Sequence, residues 1–143
     1  MKKLAIFLLA IIAVVATISY IYLNYSSNLK IVQKENANFE IYKDKEIPGT
    51  ELATIINKTI DTNQKNGILK DKKGKYIENE SNSINIDIKF LDDDVVYNIE
   101  KIYNNEIQKF VNYYRDITFI CSDIEYHNST GKIKYMKFEQ ITQ

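Results

Sequence analysis

The chain is poor in the residues that most often carry chemistry. Its 143 residues include one cysteine, one histidine, one proline and one arginine. A single cysteine, Cys121, excludes an internal disulfide, so stability must come from packing. A single histidine, His127, leaves no His-rich metal or proton-relay set. Glycine-rich phosphate loops, CxxC pairs and nucleophile elbows are absent, as are internal repeats and low-complexity segments. Charge of one sign is lacking too, with 19 basic against 19 acidic residues. No basic block stands out, which argues against nucleic-acid binding. The excess of lysine over arginine and the plentiful Asn and Ile read as codon bias rather than chemistry.

What the chain does have is a charge-free run from Leu4 to Leu23. About 20 apolar residues at ~1.5 Å rise give a helix of roughly 30 Å, the thickness of a bilayer's hydrocarbon core. Such a helix satisfies its own backbone hydrogen bonds in lipid. Lys2 and Lys3 precede the run and the next charge is Lys30, so the positive-inside bias predicts a cytoplasmic N-terminus. Tyr20, Tyr22 and Tyr25 then fall at the far headgroup region. The competing reading is a cleaved signal peptide with Val14-Val15-Ala16 as its cleavage site. Against cleavage, the apolar run continues through Ile18, Ile21 and Leu23. No cysteine lies near the run, which excludes a lipoprotein anchor. A type IV pilin leader has a similar layout, but the Gly-Phe processing site and early Glu of such leaders are missing.

The chain divides into three segments: residues 1–23 as membrane anchor, 24–37 as polar stalk or helix extension, and 38–143 as one extracytoplasmic domain. Without Lys2 and Lys3, the remainder carries 17 basic against 19 acidic residues. Leu29 and Val32 give the stalk a weak apolar stripe. Asn38 to Tyr42 alternates and predicts a short strand. Pro48-Gly49-Thr50 reads as a helix start with Thr50 as N-cap, and Leu52, Ile55, Ile56, Thr59 and Ile60 supply its apolar face to about Asp61 or Thr62. Residues 63–83 read either as a surface loop or as short hairpin arms, Ile68-Leu69 and Tyr76-Ile77, around Asp71-Lys72-Lys73-Gly74.

Ile84 to Leu91 is the clearest strand, with Ile84, Ile86, Ile88 and Phe90 on one face. Asp92-Asp93-Asp94 makes a turn, and Val95-Val96-Tyr97 begins either a short partner strand or the lead-in to the next helix. Asn98 then caps a helix predicted from Ile99 to about Arg115, striped by Ile99, Tyr103, Ile107, Phe110, Val111 and Tyr114. A terminal hairpin closes the chain: Ile117 to Tyr126, a turn at Asn128 to Gly131, and Lys132 to Phe138. Apolar parity switches between Cys121 and Ile124, which predicts a bulge near Ser122-Asp123. The fold class is α+β: an N-terminal transmembrane helix, then two helices packed on one face of a three- to five-stranded, mainly antiparallel sheet.

Candidate chemistry is sparse. Asp92-Asp93-Asp94 could hold Ca²⁺, but no D-x-D-x-D-G pattern with a closing Glu follows, and a solvated turn is the simpler account. His127 is expected exposed at a hairpin end, and Cys121 buried as a small hydrophobe. Tyr97, Tyr103, Tyr113, Tyr114, Tyr126 and Tyr135 fit a core with hydroxyls at its edge. Tyr113, on the less apolar side of its helix, is the candidate for a partner surface. Asn57-Lys58-Thr59 and Asn128-Ser129-Thr130 match a glycosylation pattern that matters only in a eukaryotic secretory pathway. No catalytic, cofactor-binding or metal-binding set emerges, and no cofactor is expected.

The pattern Phe39-Glu40-Ile41-Tyr42, Gly49-Thr50, Leu52, Ile55-Ile56-Asn57, Ile60 and Asn63 resembles one in small uncharacterised bacterial proteins. The likeness continues through Tyr76-Ile77-Glu78-Asn79 and Ile84 to Phe90. Those proteins also begin with a lysine-flanked membrane helix and have no assigned activity, so the resemblance implies an anchored layout and a bacterial source. The expected function is a non-enzymatic assembly or protein-interaction module at the cell surface, held through Leu4–Leu23. A pilin-like or pseudopilin-like subunit, or a secreted ligand-binding domain if the N-terminus is cleaved, are the alternatives.

Overall fold

The computed structural model describes residues 2–91, 95–105 and 107–142. The chain forms two compact units, one ending at Lys34 and one beginning at Glu35. The described residues of the first are all helical and belong to α1, Lys2–Glu40. This helix is long and apolar enough to cross a membrane, and none of its most apolar stretch is buried. Leu4, Phe7, Ile12, Ile18 and Leu23 are all exposed, so the helix is apolar on every side. The hydroxyl of Thr17 donates to the Ala13 carbonyl at 2.8 Å, so even this polar group is satisfied within the helix.

The second unit takes up the last turns of α1 and is an α+β domain. Its sheet has five strands: β1 Glu46–Pro48, β2 Asn85–Lys89, β3 Val96–Asn98, β4 Thr118–Tyr126 and β5 Ile133–Gln140. Their order is β1-β4-β5-β2-β3. All neighbours are antiparallel except β2 and β5, which run parallel with Ile86 opposite Met136 and Ile88 opposite Phe138. The predicted bulge is present as a register shift between Cys121 and Asp123, and it lets Phe119, Cys121 and Ile124 all face inward.

Helix α2, Gly49–Lys65, buries Leu52, Ile55, Ile56, Thr59 and Ile60 as its spacing requires, and it extends three residues beyond Thr62 to bury Asn63. Pro48 rather than Thr50 holds the N-cap position, because the proline ends β1 and the helix starts at once on Gly49. The predicted long helix from Ile99 is divided into α3, Ile99–Asn104, and α4, Ile107–Tyr114. Asn104-Asn105, a pair with low helix propensity, ends the first piece. The N-cap at Asn98 is formed as expected, its Oδ1 accepting from Lys101 N–H at 3.0 Å. The buried stripe also shifts: Ile102 is buried and Tyr103 exposed.

One more expectation is corrected. Asn38 to Tyr42 is not a strand. It is the end of α1 and the turn after it, in which Tyr42 N–H bonds to Phe39 carbonyl and Lys43 N–H to Glu40 carbonyl. Phe39 and Tyr42, three apart, are the buried pair, so the short alternation was one turn of helical period. The second compact unit starts at Glu35, and Asn36 is tied into it. Its amide donates to the Gly131 carbonyl at 2.8 Å and accepts from Ile133 N–H at 3.0 Å. Between α2 and β2 the hairpin reading holds in reduced form. Lys70 bridges to Tyr76, Ile77 N–H reaches the Leu69 carbonyl at 2.8 Å, and Gly74 takes φ +80°.

One face of the sheet and the three helices of the domain close on a single core, with Ile47, Leu52, Ile55, Ile56, Ile86, Ile88, Phe119, Met136 and Phe138 fully buried. The other face carries charge: Lys134 pairs with Glu125 at 3.0 Å, Lys137 with Glu139 at 2.9 Å, and Tyr135 hydroxyl with Asp87 at 3.2 Å. These exposed pairs contribute little individually but keep that face in water.

Two substitutions test this packing. A Cβ at Gly49 would lie 1.9 Å from the Tyr114 carbonyl oxygen, a backbone atom that cannot swing away. Gly49→Ala is expected to destabilise by about 2–3 kcal/mol, read as a lower urea midpoint with unchanged slope. Asn63 is wholly buried, accepting from Ile84 N–H at 2.9 Å and donating to Ile84 carbonyl at 2.7 Å. Asn63→Ala orphans both backbone groups and is expected to cost about 2–4 kcal/mol in the same measurement.

Candidate functional site

The structure separates the residues singled out in the sequence. Asp92, Asp93 and Asp94 lie outside the described residues. His127, expected exposed, is buried and structural: one ring nitrogen, Nε2, lies 2.8 Å from the Ser83 carbonyl oxygen, which requires a donor there. The hairpin end folds over the loop before β2, and that contact encloses the imidazole. Ser129 hydroxyl donates to the Glu80 carbonyl and Thr130 hydroxyl to the Ser81 carbonyl at 2.7 Å, so the whole turn is bound to this loop. The loop is itself ordered by Asn79 Oδ1, which accepts from the N–H groups of Ser81, Asn82 and Ser83.

Cys121 is buried as expected, between the strands of the terminal hairpin and a short bridge to Lys43. Burial pushes its thiol from the ordinary 9.0 up to about 11. Such a thiol is a poor nucleophile. Glu100, in the first turn of α3, is a buried carboxylate whose Oε1 accepts from Tyr76 N–H at 2.8 Å. Its Oε2 has no hydrogen-bond partner among the described residues. Among those residues no three His, Cys, Asp or Glu side chains come together as a metal would require.

Three of the marked tyrosines, Tyr97, Tyr113 and Tyr114, come together at one concavity. A cleft of about 330 Å³ opens where β3, α3 and α4 meet, with Phe90, Ile102, Phe110, Tyr114 and Gln140 in its lining. The local sequence explains each position. Phe90 continues the inward parity of β2. Tyr97 lies opposite Ile88 on β3. Asn98 starts α3 so that Lys101, four residues after Tyr97, lays its ammonium 3.8 Å from the centre of that ring. Phe110 and Tyr114, spaced i and i+4, stack at 5.1 Å, and Phe90 lies 4.8 Å from Tyr114 and 5.3 Å, edge-on, from Tyr97. The Gln140 amide is engaged at both ends, accepting from Leu91 N–H at 3.4 Å and donating to Thr142 carbonyl at 2.6 Å.

Tyr113 stands at the rim, 80% exposed. Lys101, Asn105 and Lys109 complete the edge. The described lining thus combines aromatic walls with two cations and two carboxamides, and it includes no carboxylate. That arrangement can bind an apolar group beside a negative charge. It presents no nucleophile with an adjacent base. The break at Asn105, which lets two helices flank the cleft, was the signal missed in the sequence. Two more polar concavities, near Lys58 and near His127, are lined by groups already engaged: Lys132 with Glu35 at 2.8 Å, and Lys58 over the Phe39 ring at 5.2 Å.

The state of Cys121 is directly measurable. In the folded protein iodoacetamide at about pH 8 should label it only as fast as the domain opens, with full labelling in about 6 M urea. Because the folded thiol is raised above its unfolded 9.0, it is neutral in both states at lower pH. Stability should therefore fall as pH rises from 9.0 to about 11, and Cys121→Ala should remove that part of the slope.

Comparison with known proteins matched no family model, no curated protein and no solved structure.

Proposed function

We propose that the chain is a single-pass membrane protein, anchored through Leu4–Leu23, that works as a non-enzymatic protein-interaction module in assembly at a bacterial cell surface. The observation that carries this reading is the charge-free run on a helix whose apolar side chains find no cover within the protein. Lys2 and Lys3 before the run, and none until Lys30 after it, favour a cytoplasmic N-terminus with the α+β domain outside. The resemblance to lysine-flanked bacterial membrane proteins supports the same layout and source. Binding rather than catalysis is favoured by the aromatic walls and exposed Tyr113 of the cleft, since aromatic residues concentrate at protein interfaces.

A second reading, a pilin-like subunit, draws on one specific feature: α1 is continuous from Lys2 to Glu40 and leads directly into a sheet domain.

The first test is the intact mass of the protein from washed membranes. The anchored reading expects the full-length mass, resistant to carbonate extraction, with the domain removed by protease added to intact cells. A mass beginning near Thr17 and recovered from the medium would overturn it. Crosslinking in intact membranes should then yield a discrete partner adduct, and a strictly monomeric protein would sink the interaction role.

A further inference from the structure

The cleft between β3, α3 and α4 has a definite chemical character. Its floor is the stacked group of Phe90, Phe110 and Tyr114, with centroids between 4.8 and 6.4 Å apart. Its volume, about 330 Å³, suits one large side chain rather than an extended ligand. On one lip Lys101 is held over the Tyr97 ring at 3.8 Å. A ring contact orients the ammonium without neutralising it, so its charge still acts on whatever enters. Lys101 is thus the cation this lip presents to the cleft. The other lip is Tyr113, a large amphipathic side chain left 80% exposed.

We propose that this cleft takes a short acidic-aromatic peptide segment of a protein partner, an aromatic side chain seating on Phe90, Phe110 and Tyr114 and a neighbouring carboxylate meeting Lys101. The proposal rests on the interaction-module reading above and names the chemistry of its partner. Charge complementarity selects an acidic segment. The aromatic floor selects a ring, since offset and edge contacts add to area burial. A peptide is favoured over a free acid because the cleft lies beside β3, the edge strand of the sheet, where an extended chain can run alongside. Tyr113 then closes over the seated ring, the kind of central aromatic contact that dominates binding energy in small interfaces.

The test uses the full-length chain in nanodiscs and a fluorescein-labelled probe, Glu-Phe-Glu-Phe-Glu, followed by anisotropy. Saturable binding is expected, weakening several-fold between about 0.05 M and about 0.3 M salt. Glu-Ala-Glu-Ala-Glu should bind about tenfold more weakly, and Lys-Phe-Lys-Phe-Lys should not bind. Lys101→Glu should weaken the probe about tenfold while Lys101→Arg retains it, and Tyr113→Ala should weaken it several-fold. Both positions are exposed, so unchanged circular dichroism and urea midpoints should accompany these losses. Preference for the lysine probe, or indifference to Lys101→Glu in a folded protein, would overturn the proposal. So would displacement of the probe by phenylacetate at equal concentration, which would make the ligand a free acid. Absence of probe binding would also refute it, yet a full-length membrane mass with a discrete crosslinked partner would leave the interaction-module reading standing.

Discussion

The parallel pairing of β2 with β5 is the constraint on which the rest of the domain depends. Parallel neighbours cannot be joined by a tight turn. Here the intervening chain supplies β3, α3, α4 and β4 before returning. Once Ile86 faces Met136 and Ile88 faces Phe138, β3 becomes one edge of the sheet and β4 carries β1 at the other. Both helices made from the crossover then fall on the same face as α2.

A parallel register has no hairpin turn to set it, and the structure sets it with polar contacts at the start of both strands. The turn before β5 is bonded to the loop before β2 through His127, Ser129 and Thr130. Asn36 grips the same turn from the end of α1, and Asn63 grips Ile84 from the end of α2. Of these, Asn36, Asn63 and His127 are buried, and their bonds satisfy backbone groups that burial would otherwise orphan. The opposite end of the sheet is closed by rings instead: Phe90, Phe110, Tyr114 and Phe119 lie within 6.4 Å of one another. One end is therefore directional and rigid. The other is apolar and incompletely filled, and the cleft is where the filling stops.

This division bears on function. The residues with familiar reactive chemistry, Cys121 and His127, are used for packing and for holding a turn, each in a place where reactivity would be a liability. The side chains left at the surface around the cleft are those suited to recognition: Tyr113, Lys101 and Asn105.

The strands and α2 were legible because their information is local. Ile84 to Phe90 alternates strictly, Leu52 to Ile60 keeps helical spacing, Asn98 caps the next helix, and the parity switch after Cys121 announces a bulge. The long apolar helix is legible for the same reason, being a length of apolar chain and nothing more. Other features depended on partners distant in sequence. His127 looked exposed because only the loop at Ser83, 44 residues away, encloses it. Phe39 and Tyr42 looked like strand positions because three apolar residues are too few to separate a period of two from a period of 3.6. The break at Asn105 hides in a stripe that continues across it, although Asn104-Asn105 hinted at it. Local pattern was therefore enough for the apolar N-terminal helix, the α+β class and most inward faces, since periodicity and composition act over a few residues. The parallel β2–β5 pairing, the burial of His127 and the convergence of Phe90, Lys101, Phe110 and Tyr113 on one cleft arose only when the chain folded. Those depend on which distant surfaces bury each other best, a choice no local pattern encodes.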